Sequence, residues 1–278
     1  MTPSIEHHRI CSPDGIALAV VDGGVRSAPP ILFIHGFLFS AAAFALQFKG
    51  ALARRHRLIG IDLRGHGGSD KPRDVAAYAD ARTWADDVAC VLESLDVGRA
   101  IIVGWSLGSR VALNYAWRYG FGRIAGLNLV GATLASGSHG PDAGLPPQWR
   151  DLLATDTDAR RDATRRFVDE CAAPLGADAR PLEAFTETAM GVPVEARLGS
   201  KCWPIPYDDD LSWISVPTLI THGALDRLVS EQTARAQVEA IPNAELALIT
   251  GGGHLAFFQQ CEQYDNDLAG HARRCFSE

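Results

Sequence analysis

Five residues constrain this chain more than any others: Gly104-Trp105-Ser106-Leu107-Gly108. They follow the aliphatic run Ala100 to Val103, which reads as a strand, and they open a helical stretch reaching about Tyr119. A serine at this spacing between strand and helix sits on a sharp turn, where its backbone is strained and neighbouring chain passes close by. Small residues two before and two after it are then a steric requirement, which Gly104 and Gly108 meet. The turn lifts the Ser106 hydroxyl to the tip of a sheet and to a helix N-terminus, where free N–H groups stabilise developing negative charge. A G-x-S-x-G string alone arises by chance in many chains. The strand before it and the helix after it make Ser106 read as a nucleophile rather than a turn serine.

The surrounding pattern agrees with that setting. Further strand-like runs are Ile16 to Val21, Ile31 to His35, Leu58 to Ile61, Ile124 to Val130, Val216 to Thr221 and Glu245 to Thr250. Several lack polar alternation, as strands buried on both faces of a parallel sheet do. After Thr83, apolar residues at Trp84, Val88, Val91, Leu92 and Leu95 share one helical face, with Thr83 and Asp86 in capping-box-like positions. Strand and helix alternate, which predicts an α/β fold with a doubly wound, mostly parallel sheet.

The rhythm breaks between residues 132 and 212. Eight of the fifteen prolines fall there, with fourteen acids against eight bases, so nearly all of the net charge of −7 is concentrated in this stretch. Its periodicity is helical in pieces, as from Arg161 to Val168, and Val216 then resumes the buried-strand pattern. Residues 132–212 are therefore expected to form a helical cap inserted into a core made of 1–131 and 213–278, lying over the crevice where such sheets bind ligands.

A serine hydroxyl needs a base and a carboxylate to orient that base. Of nine histidines, His254 follows the last strand-like run in Gly251-Gly252-Gly253-His254, a loop flexible enough to swing a ring over the sheet edge. His35, His66 and His222 read as hydrogen-bonded turn histidines, and His7, His8, His56, His139 and His271 lie in terminal, polar or lid segments. Asp226 stands just beyond the strand Val216 to Thr221, whereas Gly131-Ala132-Thr133, the other strand end where an acid is common, offers none. The order Ser106, Asp226, His254 separates this set from the chymotrypsin and subtilisin orders. Oxyanion donors are expected from the N–H of Leu107, next to the serine, and the N–H of Phe37, in the turn after Ile31 to His35.

A net charge of −7 with pI near 5.7 and no basic run argues against nucleic acid as a partner. No apolar stretch approaches the roughly 20 residues of a membrane helix. The start, MTPSIEHHRI, resembles no secretory leader, so a cytoplasmic location is expected. Six cysteines without any C-x-x-C spacing read as free thiols rather than a metal or redox motif. The chemistry requires no metal or organic cofactor.

The chain resembles the α/β-hydrolase fold superfamily from about residue 8 to residue 272. The residues that carry the resemblance are His35-Gly36-Phe37, Asp62-Leu63-Arg64-Gly65-His66-Gly67-Gly68-Ser69, Gly104-Trp105-Ser106-Leu107-Gly108, Asp226 and His254. Within it the chain looks like the small bacterial serine esterases, the cofactor-free haloperoxidase or perhydrolase group, and the related lactonases. The resemblance implies an eight-stranded sheet with the cap after the sixth strand, and a structural role for Asp62 to Ser69. It departs at Ser109, where many relatives have glycine. It departs also at Leu38, where strong perhydrolases often carry proline, and this favours plain ester hydrolysis.

The expected activity is acyl-enzyme hydrolysis of carboxylic esters or lactones by Ser106, His254 and Asp226. Perhydrolysis and carbon–carbon bond hydrolysis use the same triad and stay open. A carrier-protein methyl esterase shares the elbow motif but would want a basic cap, and a non-catalytic binding protein on this scaffold would keep the pocket and lose the chemistry. Trp105 and Phe37 are expected to contact substrate, with Phe39, Phe257, Trp149 and Trp203 as further candidates for an apolar acyl pocket. Medium-sized neutral substrates are expected, and the oligomeric state is left open.

Overall fold

The computed structural model describes residues 5–134, 147–174, 180–203 and 210–277. His139 lies outside the described residues, as does the side chain of Cys202. The strands are β1 (Ile5–Cys11), β2 (Ala17–Gly24), β3 (Pro30–Ile34), β4 (Arg57–Ile61), β5 (Ala100–Trp105), β6 (Ile124–Val130), β7 (Thr218–Gly223) and β8 (Ala244–Ile249). They form one sheet in the order β1-β2-β4-β3-β5-β6-β7-β8. Only the β1–β2 and β2–β4 pairs are antiparallel; from β4 onward the sheet is parallel.

Every residue of β4, β5, β6 and β7 is buried, as their unbroken apolar runs predicted. The chain leaves β3 for β4 on one side and returns to β5 on the other. Loops after β3 and β5 therefore diverge and open a crevice at the carboxyl ends of these strands. That reversal of strand order decides where the site lies.

The helices are α1 (Ala45–Lys49), α2 (Ala81–Ser94), α3 (Leu107–Tyr119), α4 (Thr157–Ala172), α5 (Arg180–Met190), α6 (Val194–Cys202), α7 (Glu231–Ala240), α8 (Ala256–Gln259) and α9 (Cys261–Phe276). Helices α2 and α3 pack together against the sheet, and α1 packs with α9, where Gln47 donates to Asp265. Tyr264 of α9 reaches β6 through the Asn128 side chain at 3.0 Å. Every described element between β6 and β7 is helical. Arg197 of α6, with no exposed surface, ties this insertion together by donating to the carbonyls of Leu152, Ala189 and Val192 and to the Thr164 hydroxyl.

Two local expectations are corrected. Strand β1 was not read from the sequence, because Ile5–Cys11 exposes nearly all its residues and buries only Ile10. It is held by backbone pairing to β2, and its polar side chains blunt a free sheet edge. Helix α2 begins earlier than Thr83: Asp80 is its cap, accepting from the Arg82 N–H, and the Thr83 hydroxyl donates back to the Asp80 carbonyl. Apolar periodicity starts only at Trp84 and so hides the polar first turn.

Among the described residues no helix is long and apolar enough to cross a membrane. Cys11, Cys90, Cys171, Cys261 and Cys275 are free thiols.

Candidate active site

Ser106 is where the strand-to-helix turn was expected, with φ 53° and ψ −114°, a conformation that non-glycine residues rarely adopt. Its N–H donates to the Val130 carbonyl at 2.8 Å, and its carbonyl accepts from the Ser109 N–H. The flanking glycines are required sterically. A Cβ on Gly104 would lie 2.5 Å from the Ser109 Cα, and one on Gly108 would collide with the Ile34 carbonyl oxygen. The second contact sets the N-terminus of α3 directly against the end of β3. Ser109, where many relatives carry glycine, fits without cost because its hydroxyl donates to the Gly104 carbonyl at 2.6 Å.

The loop after β3 comes in from the other side of the crevice. Gly36 is so close that a Cβ there would sit 3.3 Å from the Ser106 Cβ. Leu38 has φ 67°, and this turn holds Phe37 beside the serine. Among the described residues neither the Phe37 N–H nor the Leu107 N–H has an acceptor. The two loops that meet at Ser106 thus each carry one unpaired donor. His35 helps to hold this turn, with Nδ1 2.8 Å from the Gly36 carbonyl and Nε2 accepting from the Leu63 N–H. Burial pushes the His35 imidazole down to about 4 and, joined by His35, pushes the neighbouring His66 down to about 3. Asp62 accepts from the N–H groups of Ala41 and Gly68, so the Asp62 to Ser69 segment is bonded as a turn.

His254 Nδ1 lies 2.8 Å from Asp226 Oδ2, and the two side chains are 3% and 0% exposed. A carboxylate only accepts hydrogen bonds, so Nδ1 carries the proton and Nε2 is left as the basic nitrogen. Asp226 Oδ1 accepts from the N–H groups of Leu228 and Val229 at 2.8 and 3.0 Å. Burial alone would raise this carboxyl; the His254 ring and the two N–H donors outweigh it and hold Asp226 below the usual carboxylate range.

The glycines before His254 do not serve flexibility. A Cβ on Gly253 would collide with the Ala173 carbonyl oxygen, and one on Gly252 would lie 2.9 Å from the Ala256 Cβ. They let the loop press against the end of α4, where the Leu255 N–H donates to the Cys171 carbonyl and Gln259 bridges the Ala172 carbonyl to the Gly253 N–H. The loop is clamped. Gly131, at φ 51°, escaped notice in the sequence: a Cβ there would stand 3.1 Å from His254 Nδ1 and Cε1. No local signal marks it, since the imidazole it makes room for lies far along the chain.

The aromatic candidates divide. Phe37 is 4% exposed and meets Phe167 of α4 edge-on, Phe167 meets Trp149, and Phe39 meets Phe185 of α5. Trp203 is instead fully buried at the base of the insertion, against Trp84 and Arg110. Trp105 packs among Phe39, Phe44 and Phe257, and its indole N–H donates to the His254 carbonyl at 2.9 Å. Sequence reasoning assigned Trp105 to substrate; the geometry gives it a hold on the histidine loop. Among the described residues, no three His, Cys, Asp or Glu side chains come together as a metal ion would need.

Comparison with known proteins follows the same line. The model of the alpha/beta hydrolase family matches residues 31–266. Non-heme chloroperoxidase CPO-A1 of Kitasatospora aureofaciens is 30% identical over 88% of this chain and 91% of its own length. The bifunctional esterase/perhydrolase DCH of Acinetobacter calcoaceticus is 29% identical over 95% and 99%. A crystal structure from Burkholderia cenocepacia, to which aryl esterase activity is ascribed, superposes with a TM-score of 0.90 at 31% identity, covering 98% of this chain and 100% of that one.

Proposed function

Because the chain belongs to the alpha/beta hydrolase family, we propose that it is a serine hydrolase of carboxylic esters or lactones working through Ser106, His254 and Asp226. The observation that carries this reading is the buried 2.8 Å contact between His254 and Asp226, set at the same end of the sheet as a strained serine flanked by two unpaired N–H groups. His254 Nε2 takes the Ser106 proton as the hydroxyl oxygen attacks the substrate carbonyl. The resulting oxyanion is held by the Leu107 and Phe37 N–H groups. The imidazolium, stabilised by Asp226, then protonates the leaving alcohol, and water activated by the same base releases the acid and frees Ser106. Residues 132–212 act as the lid over this site.

Perhydrolysis, with hydrogen peroxide replacing water in the second step, is the second reading, favoured by similarity to the esterase/perhydrolase DCH. Leu38 speaks for plain hydrolysis. Its φ of 67° is closed to the proline that strong perhydrolases often carry, because the pyrrolidine ring locks φ near −65°.

The test combines fluorophosphonate labelling with turnover of p-nitrophenyl esters, with and without peroxide. Label on Ser106 together with ester hydrolysis supports the reading. A folded protein that neither takes the label nor turns over an ester would sink it.

A further inference from the structure

The net charge of the insertion conceals its arrangement. None of its described acids is buried: Asp151, Asp156, Asp158, Asp162, Asp169, Glu183, Glu187 and Asp210 are exposed, and Glu170 and Glu195 are partly so. Most of its described arginines are exposed as well, but two of its cations point the other way. Arg197 is fully buried in the insertion, and Lys201, in the last turn of α6, is directed toward the crevice with its Nζ 4.3 Å from the centre of the Phe37 ring.

Lys201 has no hydrogen-bond or ion-pair partner among the described residues. Its side chain is half-buried; that burial pushes its ammonium down to about 7, and the Arg110 guanidinium pushes the same way. Cys171, at the end of α4, lies against the histidine loop, where its carbonyl accepts from the Leu255 N–H. A cation over an aromatic face gains only a modest attraction, which does not replace all the hydration that a half-buried, unpaired ammonium gives up. Among the described residues nothing supplies an anion to this ammonium, and its place on the Phe37 ring sets it beside the loop that flanks Ser106.

We propose that Lys201 determines substrate specificity: its ammonium receives a carboxylate of the substrate, so that half-esters or lactones bearing a carboxylate are preferred over their neutral analogues. This rests on the serine hydrolase reading above, and it replaces the expectation of neutral substrates that accompanied the apolar pocket. A planar carboxylate is the fitting group because it offers oxygen acceptors to the three N–H bonds of an ammonium.

The experiment measures kcat/KM for two matched pairs. Mono-p-nitrophenyl succinate against p-nitrophenyl butyrate places the charge on the acyl side, and 4-acetoxybenzoate against phenyl acetate places it on the alcohol side. In Lys201→Met the anionic-to-neutral ratio of one pair is expected to fall about 10- to 100-fold, the range of a charge-assisted hydrogen bond, while Lys201→Arg keeps most of it. Thermal melting of Lys201→Met controls for folding. No loss of melting temperature is expected, since an unpaired cation is replaced by an apolar chain of similar length, and a marked loss would point to a structural role and overturn the inference. Ratios unchanged in both pairs, with ester hydrolysis intact, overturn the inference and leave the serine hydrolase reading standing. A folded wild-type protein inert toward all four esters overturns both.

Discussion

The indole N–H of Trp105 donates to the backbone carbonyl of His254 across 149 positions of sequence, at 2.9 Å. The residue before the elbow serine thereby fixes the loop that carries the proposed base, and one strand end bears on both partners of the proposed proton transfer. Trp105→Phe keeps the packing and removes the donor, leaving a buried carbonyl unsatisfied at a cost of about 1–3 kcal/mol. We expect kcat to fall roughly tenfold with little change in KM, read from steady-state kinetics. A rise in KM at constant kcat would return Trp105 to the substrate pocket.

Strain at Ser106 predicts opposite outcomes for stability and activity. Ser106→Gly removes the cost of φ 53° and is expected to gain about 1 kcal/mol, whereas Ser106→Ala keeps the strain and melts near wild type. Both lose activity by at least ~10³-fold. Equal melting temperatures for the two variants would show that the elbow is unstrained.

Gly131→Ala sets a methyl group 3.1 Å from the His254 ring, on a backbone at φ 51°. The imidazole must shift to accept it, and a displacement of about 1 Å at a reacting group costs about 100-fold in rate. Activity should fall far more than stability. A variant that loses stability but retains kcat would separate Gly131 from the site.

Arg197 is the hub of the insertion. Arg197→Lys keeps the charge but not the planar fork, stranding at least one of three buried carbonyls. The expected loss is about 3 kcal/mol, read by chemical denaturation, and protease cleavage should begin within the insertion. Cleavage beginning in the sheet would contradict this.

Acid should destabilise the protein between pH 6.5 and about 4. Burial holds His35 and His271 down to about 4 and His66 to about 3, so below the ordinary histidine range near 6.5 the unfolded chain binds three protons that the folded one refuses. Stability therefore drops as pH falls through this window. Asp87 and Asp265, raised to about 6 by burial, have the opposite sign but are fewer. The melting temperature should decline from pH 7 to pH 4.5; a flat or rising profile would refute the balance.

What was legible in the sequence was what neighbours along the chain decide. Short aliphatic and β-branched runs marked seven strands, and the spacing of Gly104, Ser106 and Gly108 marked the elbow, because each constraint acts within a few residues. Asp226 and His254 were found by their places after strand ends, since in a parallel sheet those ends share one edge. Strand β1 was missed because a polar edge strand carries no apolar period, and the α2 cap because its first turn is polar.

The sequence by itself determined the fold class and pointed to the three residues of the proposed triad. Tertiary structure alone decided how they are held: Trp105 gripping His254, Gly131 making room for its ring, and the glycines of the histidine loop serving close contact rather than motion. It decided as well which way the charges of the insertion face, exposing its described acids while turning Lys201 toward Phe37. The physical reason is the same in each case. Local order is written in adjacent side chains, whereas contact, burial and the field at a site depend on residues that only the folded chain brings together.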